Sequence, residues 1–264
     1  MHIEEIIQQI VPLDAACASQ AQARFDALIK PVGSLAKLEE MTSKYAGIVG
    51  TADKHKLNYP KRAILVWCSV EETNEATKIL QGKYPVNVLA AETNAEAIPI
   101  VVTSISDEEA LLEGATKLQE FLAKNSLGAV GFGCLSPTTN GLVLSAMCGG
   151  MLLAAARKIP IMLDGLATCL AAKKAINMCA DVVDYCFAGH LSSEAGAEDA
   201  LNSLKLKAPL RLDIPDGSGE GAAICFTLFD AGIKAFKEME TFAEAGVHVE
   251  TKEFSWAEQT KKGK

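Results

Sequence analysis

The sequence lacks the features that mark metal-binding, nucleic-acid-binding and membrane-spanning proteins. Its 264 residues include four scattered histidines, and its eight cysteines form no C-x-x-C pair, so no metal cluster is expected. Acidic residues outnumber basic ones by 33 to 25, which leaves no basic surface for a phosphate backbone. The longest apolar run, residues 142–156, is shorter than the roughly 18 residues of a membrane span. We therefore expect a cytoplasmic protein without metal, nucleic acid or membrane partners.

Apolar residues are numerous enough for one large domain or two modest ones. They make up 49% of the chain. Glu4 and Glu5 fall within the apolar pattern of the N-terminus, which is unlike a signal peptide. Several cysteines lie in apolar stretches, namely Cys148, Cys169, Cys186 and Cys225. Such cysteines favour buried free thiols in a reducing cytosol.

The order of helical and strand patterns predicts an α/β fold. Three helices, near residues 3–10, 14–28 and 35–45, precede any strand, and from residue 63 strands and helices alternate. This alternation predicts a Rossmann-like parallel sheet flanked by helices, with the N- and C-terminal segments packed as a small helical layer. We divide the chain into a helical segment, residues 1–60, and a sheet domain, residues 61–264. The predicted strands are 63–68, 97–103, 127–132, 159–163, 182–187 and 208–214, and the helices among and after them are 72–81, 86–95, 107–124, 141–157, 166–178, 193–204 and 222–239.

The stretch that most suggests a ligand site is residues 217–221, GSGEG, between the last predicted strand and helix. Glycines allow close backbone approach, and the free N–H groups of a helix start favour an anion. The spacing matches neither a dinucleotide fingerprint nor a Walker loop, so a turn without a ligand stays open. Glu220 would repel a phosphate unless it acts as a base or faces elsewhere.

Polar residues also follow other predicted strands, at the ends where parallel sheets bind ligands. Asp164 could bond ribose hydroxyls or cap the next helix. His190, Ser192 and Glu194 resemble an acid–base cluster, although a structural histidine and a serine–glutamate helix start account for them as well. Residues 133–140, GCLSPTTN, offer hydroxyl groups to a phosphate but no positive charge, and an ordinary turn is the alternative.

The N-terminal segment contains residues that are expected to begin and end its helices. Asp14 can cap the second helix. Within residues 30–35, KPVGSL, Pro31 blocks a continuing helix, Gly33 gives the turn its freedom, and Ser34 can cap the third helix. At the other end of the chain, the basic residues 261–264 are expected to fray.

Three stretches in order resemble the signatures of one enzyme family. Residues 24–39, RFDALIKPVGSLAKLE, resemble the family's D-x-L-x-K-P-P-G-S-L-G-R-L-E. Residues 155–165, AARKIPIMLDG, resemble its A-A-R…P-V-L-L-D-G. Residues 190–197, HLSSEAGA, resemble its S-H-x-S-A-E-x-G-A. The family is that of the nicotinate-nucleotide:dimethylbenzimidazole phosphoribosyltransferases, which activate the lower-ligand base of cobamides. The resemblance covers about residues 20 to 245. It implies transfer of phosphoribose from nicotinate mononucleotide, without a cofactor.

The chain departs from this family at the positions that carry the chemistry. The first Glu of the family's glycine turn, R-L-G-E-G-[ST]-G-A-A, is its base. Aligning residues 219–223 on the end of that turn puts Ser218 at the base position and Glu220 at the small hydroxyl residue. Cys134 replaces a second acidic residue. The resemblance still indicates five candidate substrate-site residues, which are Ser218, Gly219, Asp164, His190 and Ser192. Glu220 is the alternative candidate for the catalytic base.

Such a degenerate copy resembles the smaller subunit of the heterodimeric members that use phenol and p-cresol as bases. Loops near residues 72–85, 103–107 and 138–145 are also shorter than the family's. Family members form dimers whose sites borrow residues from the neighbour, so the resemblance implies a larger catalytic paralogue as partner. Its interface candidates are Lys30, Pro31, Gly33, Ser34 and Leu35, and the apolar residues 142–156 could join them or form a core helix. An active homodimer with Glu220 as base and a non-enzymatic nucleotide-binding domain stay open.

Overall fold

The fold is built on a parallel sheet of five strands. The computed structural model of the protein describes residues 2–215 and 217–247. The strands are β1 Arg62–Ser69, β2 Ala95–Val102, β3 Ala129–Cys134, β4 Ile161–Leu163 and β5 Cys186–Ala188. The strand order is β2-β1-β3-β4-β5, and every neighbouring pair is parallel. The predicted α/β class is confirmed. Because the order reverses between β1 and β3, ligands are expected where these two strands end.

Helices separate and flank the strands. In the described part of the chain they are α1 Ile3–Ile7, α2 Ala15–Ala27, α3 Lys37–Val49, α4 Thr73–Leu80, α5 Pro85–Glu92, α6 Asp107–Lys124, α7 Gly141–Ala156, α8 Gly165–Met178, α9 Ala197–Ser203 and α10 Glu220–Glu238. None of these helices is long and apolar enough to cross a membrane.

The chain folds as two compact units, each made of separate segments. One contains residues 2–12 and 60–227 and carries the sheet, and the other contains residues 13–59 and 228–247. Compactness does not test which segments fold independently, so the division at residue 60 stays a prediction. The basic residues 261–264 lie outside the described residues.

Helix α7 is the buried core helix of the sheet unit. All but a few of its residues are buried, so the apolar run 142–156 is a core element and not an exposed surface. It packs on α6 backbone to backbone, because a Cβ atom at Gly149 would overlap the Leu111 carbonyl and one at Gly114 would overlap the Ala146 carbonyl. Glycine is required at both positions for this close approach.

The helical unit packs α2 and α3 from the N-terminal part of the chain against the C-terminal half of α10, as the predicted helical layer requires, whereas α1 belongs to the sheet unit. Phe25 of α2 packs on Phe236 of α10, with ring centroids 5.4 Å apart, and Tyr45 of α3 packs on Phe229 at 5.0 Å. The Arg24 guanidinium donates to the Phe236 and Met239 carbonyls, which are orphan acceptors at the end of α10.

The turn between α2 and α3 is held by a buried ion pair. Lys30 Nζ lies 2.8 Å from Glu39 Oε1, and the two side chains are 6% and 3% exposed. The same carboxylate accepts from Leu35 N at 2.9 Å and from Gln22 Nε2 at 3.1 Å. The Lys30 ammonium and the Leu35 amide are therefore engaged inside the unit.

One predicted cap is confirmed and the other is wrong. Asp14 accepts from Ala16 N and Cys17 N and caps α2. Ser34 does not cap α3, which begins at Lys37 after Ala36 in a positive-φ conformation. The Glu39 side chain instead reaches back to the turn and accepts from Leu35 N, which lies before the helix begins.

The sixth strand predicted at residues 208–214 is absent. This segment makes only an isolated parallel bridge, Leu191 to Arg211. Pro209 has no N–H to donate, and Asp213 adopts a left-handed φ of 53°, so the segment cannot sustain a ladder. The glycine turn therefore follows an irregular segment and not a strand.

Several other helices and strands are shorter than the sequence predicted. The strand expected at 182–187 is β5, preceded by a 3₁₀ helix at Ala180–Tyr185, in which the buried Val182 and Tyr185 lie three residues apart as that helix requires. The helix expected at 193–204 begins only at Ala197, after Gly196 with a φ of 90°. Helix α1 ends at Ile7.

Candidate active site

The candidate residues gather where the strands of the sheet end. Asp164 follows β4, His190 follows β5, and residues 217–221 lead into α10, which begins at Glu220. The Gly217 carbonyl accepts from Cys134 N at the end of β3, at 2.7 Å. The sheet thus brings together residues that are far apart in sequence, as expected for the carboxyl edge of parallel strands.

Asp164 connects the glycine turn to the end of β5. Its side chain is fully buried, with Oδ2 accepting from Gly219 N at 2.6 Å and Oδ1 lying 2.9 Å from Nδ1 of His190. It makes no side-chain cap of α8. Of the two roles expected for Asp164, capping of α8 is wrong, and the contact with ribose hydroxyls stays a prediction. Asp164 and His190 act in this structure as internal supports of the turn.

The environment of His190 raises its pKa above the usual value. Burial lowers the pKa, but the adjoining Asp164 carboxylate, helped by the Ile214 carbonyl and the charge of Glu194, more than reverses that effect. The stability that the pair contributes is complete below the unfolded-state pKa. It is lost as the pH rises through the raised folded-state pKa.

Asp164→Asn should lower the pKa of His190, because it removes the main group that favours the imidazolium. Histidine NMR titration measures this pKa directly. The control is Asp199→Asn, an exposed carboxylate on α9, which should leave the His190 pKa unchanged. An unaltered pKa in Asp164→Asn would show that the raised value has another cause.

The Glu220 carboxylate accepts a hydrogen bond from the Ser218 hydroxyl group. Ser218 Oγ is 2.9 Å from Oε1 and 2.8 Å from Oε2 of Glu220, and both residues are buried. Gly219 between them has a φ of 114°, and a Cβ atom there would lie 2.5 Å from Ile64 Cγ2. The turn therefore packs directly on the sheet and folds the Glu220 carboxylate back toward position 218.

Ser192 and Glu194 fix the loop after β5 to the start of α8. Ser192 Oγ donates to the Ile214 carbonyl at 3.0 Å and also lies 3.0 Å from Glu194 Oε2. Glu194 Oε2 accepts from Leu166 N at 2.7 Å, in the first turn of α8. A carboxylate of the chain itself therefore occupies the electropositive end of this helix.

A cleft of about 440 Å³ opens beside these residues. Its floor and walls include Cys134, Ala167, Glu194 and Gly217, together with the hydroxyl-bearing segment 135–138. Within the described residues, none of those lining it is basic. The segment 133–140 thus reaches the site, as the ligand hypothesis required, but it brings no positive charge.

A fourth carboxylate, which the sequence did not predict as part of the site, joins the loops after β1 and β3. Glu72 Oε2 accepts from Ser69 N at 2.8 Å and from Ser136 Oγ at 2.5 Å. These contacts and the Ser69 hydroxyl hold the pKa of Glu72 below its usual value despite burial. The S-x-x-E spacing of Ser69 and Glu72 signals a capping box, but nothing in the sequence indicates the contact with Ser136.

The cysteines are free and mostly buried, as predicted. Burial raises the pKa of the Cys134 thiol to about 12, and those of Cys148, Cys169 and Cys225 to similar values. Such thiols are not nucleophiles at neutral pH. In the part of the chain that the structure describes, no group of histidine, cysteine and carboxylate side chains has the arrangement of a metal site.

Comparison with known proteins identifies the family. The profile of a family described as phosphoribosyltransferase matches residues 10–120 and 107–247, which together span most of the chain. The chain belongs to the nicotinate-nucleotide:dimethylbenzimidazole phosphoribosyltransferase family. The expected resemblance is confirmed, and the signatures at residues 24–39, 155–165 and 190–197 lie within the matched ranges.

Individual relatives of the family are distant. An enzyme of that name from Geobacter metallireducens is 26% identical over 347 aligned positions, with 93% of this chain and 98% of the relative covered. One from Chlorobium chlorochromatii is 40% identical over 119 residues, covering 45% of this chain and 33% of the relative. The crystal structure of the family member from Thermus thermophilus matches with a TM-score of 0.79 at 22% identity, over 90% of this chain and all of that one.

The chain is a shortened member of the family. Its alignment with the Geobacter relative has 347 positions, more than the 264 residues of the chain itself. That relative therefore carries segments that have no counterpart here. The lengths show that segments are missing, and the expected places of the shorter loops, near residues 72–85, 103–107 and 138–145, stay predictions.

Proposed function

We propose that this chain is the non-catalytic subunit of a heterodimeric phosphoribosyltransferase in cobamide biosynthesis, in the cytoplasm. Together with a larger catalytic paralogue it would transfer phosphoribose from nicotinate mononucleotide to phenol, p-cresol or a benzimidazole, without a cofactor. The relatives are named as nicotinate-nucleotide–dimethylbenzimidazole phosphoribosyltransferases, which supports the donor and the class of acceptor.

The main support for the proposal is that the described residues lining the cleft include a carboxylate, Glu194, and no basic residue. A phosphorylated donor needs a cation or free N–H groups for its phosphate. The described residues that line the cleft supply no cation, and Glu194 already accepts from the first turn of α8. A phosphate placed there would face a carboxylate at short range, which opposes donor binding in this chain's own site.

The reaction also needs a base to accept a proton, and this chain lacks the family's base at its expected position. The acceptor oxygen or nitrogen attacks the anomeric carbon, the bond to nicotinate breaks with its electron pair, and a base takes the acceptor's proton. Ser218 stands at the position of the family's base, and a hydroxyl is not a base at neutral pH. These two deficits together favour a subunit whose partner performs the chemistry.

An active homodimer with Glu220 as base is the second candidate. A shift of two residues along an extended chain would displace the carboxylate by about 6 Å. The fold of the turn offsets this shift, since the Glu220 oxygens lie 2.8 and 2.9 Å from Ser218 Oγ. Against this candidate stands the burial of Glu220, which is 5% exposed. A nucleotide-binding domain without turnover, the third hypothesis, is opposed by the charge of the cleft.

The decisive measurement is nicotinate release from nicotinate mononucleotide, with phenol and with dimethylbenzimidazole as acceptors. We expect no turnover by the pure chain and turnover by its one-to-one complex with the paralogue, unchanged by Glu220→Gln in this chain. Robust turnover by the pure chain that Glu220→Gln abolishes would establish the homodimer. A paralogue fully active and dimeric alone would contradict the heterodimer.

The turn at residues 30–35 is the proposed contact with the paralogue. Pro31, Gly33 and Ser34 are exposed, and the neighbouring Val32 is 53% exposed. Gly33→Val should disrupt co-elution or activity of the mixture, because its φ of 72° is strained for valine although no atom lies within 4 Å. Gly50→Val is the control, since Gly50 has a φ of 71°, equally open surroundings and a place in the same unit. Equal loss in both variants would assign the effect to folding alone.

A further inference from the structure

The outer edge of β2 is an open strand edge. β2 is the first strand in the order of the sheet, so it pairs with β1 alone. Within the described residues, no other segment pairs with it. An open edge presents unpaired N–H and C=O groups, onto which another chain can add as a strand.

The hydrogen bonds of the sheet show which residues of β2 face outward. The Trp67 carbonyl of β1 accepts from Leu135 N on the side of β3. Because successive residues of a strand turn their N–H and C=O groups to opposite sides, the even-numbered residues of β1, such as Ile64, bond to β2. Ile64 lies opposite Ala97, and a residue in a parallel pair bonds to the two neighbours of the residue opposite. The even-numbered residues of β2 therefore bond to β1, and its odd-numbered residues face outward.

Pro99 limits the usable length of this edge. It is one of the outward-facing residues, and it has no N–H group to donate, as is usual for a proline on an edge strand. Ala95 and Ala97 come before it, and each offers a donor and an acceptor. Val101 lies beyond it. An added strand can therefore pair fully along residues 95–97 but cannot continue without losing a hydrogen bond.

A groove of about 670 Å³ lies beside the same residues, and residues 95–98 form part of its lining. The chain moves outward from β1 to β2 and then back to β3, so right-handed crossovers place α4 and α5 on one face of the sheet and α6 on the other. Leu80 of α4 and Val88 of α5 line the groove and are 73% and 63% exposed, and Phe121 of α6 also lines it. Exposed apolar side chains beside an open strand edge favour contact with another chain.

The groove carries a negative charge. Glu96 is exposed, and it is the only charged residue among the described ones that line the groove. In an added strand, the side chain of the residue opposite Glu96 would lie close to its carboxylate. A lysine or arginine there would be attracted, and an aspartate or glutamate would be repelled.

A second copy of the chain is a poor occupant of this edge. Two-fold pairing through Ala95 and Ala97 would place Glu96 opposite the same residue of the other copy, where like charges destabilise a strand pair. Two-fold pairing centred on Ala97 would place Ala95 opposite Pro99, which has no N–H group. The edge therefore fits a different chain, with a basic residue opposite Glu96.

We propose that residues 95–98 of β2 and the groove beside them bind an extended, basic segment of another protein, which adds to the sheet as a short strand. The segment has a lysine or arginine opposite Glu96 and apolar residues on both sides of it. The proposal does not depend on the proposed function, because these residues form the amino-terminal half of β2, whereas the candidate active site lies at the carboxyl ends of the strands.

NMR titration of the isotope-labelled full chain with the peptide acetyl-TVKVT-amide tests the proposal. The two valines would pair with Ala95 and Ala97, and the lysine would face Glu96. The amide signals of Ala95 and Ala97 should shift with a Kd on the order of 1 mM, and that of Val101 should stay unchanged. The matched peptide acetyl-TVEVT-amide should bind at least about fivefold more weakly. TVKVT with N-methylated valines should lose a similar factor, because it cannot donate the two backbone hydrogen bonds.

Glu96→Lys should reverse the preference, so that TVEVT binds at least about fivefold more tightly than TVKVT. The control, Glu198→Lys, changes an exposed charge on α9, which follows the strand at the other edge of the sheet, and should keep the wild-type preference. Each variant is judged by the ratio of two affinities, so a change in its stability does not affect the result.

Three results would overturn the proposal. Unchanged amide signals of Ala95 and Ala97 up to the solubility limit of TVKVT would mean that the edge does not accept a strand. An unaltered preference in Glu96→Lys would mean that Glu96 does not select the partner. Shifts of the two amide signals that grow with the concentration of the chain alone would assign the edge to a second copy.

Discussion

Gly149→Ala should lower the free energy of unfolding by about 3–5 kcal/mol, one of the largest effects of any single substitution in the chain. The added Cβ atom would overlap the Leu111 carbonyl oxygen of α6. Backbone atoms of a helix cannot rotate away as a side chain can, so α6 and α7 would have to separate. Because α7 is buried along most of its length, separation would loosen its packing on several neighbours.

Gly141→Ala provides the control within the same helix. Gly141 begins α7, and a Cβ atom there would meet nothing within 4 Å. Alanine is the better helix former, so this variant should be neutral or more stable by up to about 1 kcal/mol. Denaturant unfolding monitored by circular dichroism gives the free energy of unfolding of the wild type, Gly149→Ala and Gly141→Ala. Similar stability of Gly149→Ala and Gly141→Ala would mean that α6 and α7 do not pack as closely as described.

The sheet was predictable because its strong strands are continuous apolar runs separated by helical periodicity. Residues 63–68 lie within β1, which is buried over nearly its whole length. Strands β4 and β5 were predicted at 159–163 and 182–187, but their short lengths were not, since they have three residues each and depend on their neighbours for pairing. In residues 208–214 the apolar pattern indicates a strand, but Pro209 and the φ of Asp213 prevent the ladder.

The positions of the candidate residues were predictable, and their contacts were not. The sequence places Asp164 and His190 at strand ends, but their mutual contact and their burial follow from how β4 and β5 pair. The contact of Glu72 with Ser136 joins residues 64 positions apart. Local spacing also suggested that Glu220 stands away from position 218, whereas the φ of Gly219 brings its carboxylate onto Ser218.

The signature at residues 24–39 has two kinds of residue, and only one kind is explained by folding. Lys30, Leu35 and Glu39 form the internal network of the turn. The φ of 72° at Gly33 likewise requires the backbone freedom of glycine. Pro31 is exposed, and its carbonyl accepts hydrogen bonds that any residue could accept, so the proline is the part of the signature for which the proposed interface gives a reason. The buried pair of Lys30 and Glu39 can be tested by stability alone.

Glu39→Gln should destabilise the chain by about 3–5 kcal/mol, because it leaves the Lys30 ammonium buried without a counter-charge. The exposed Glu40, paired with Lys37 on the same helix, gives the control, and Glu40→Gln should cost less than about 1 kcal/mol. In the double variant Lys30→Met/Glu39→Gln both charges are gone. Its loss should be clearly smaller than the sum of the two single losses.

The acid dependence of stability provides a second readout of the same pair. Burial tends to raise the pKa of Glu39, but Lys30, Leu35 N and Gln22 hold it below its usual value. Its stabilising contribution is therefore complete above the unfolded-state pKa and is lost as the pH falls through the folded-state pKa. Glu39→Gln should remove this part of the acid sensitivity, and Glu40→Gln should retain it. Additive losses in the double variant, with unchanged acid sensitivity, would show that the pair does not hold the turn.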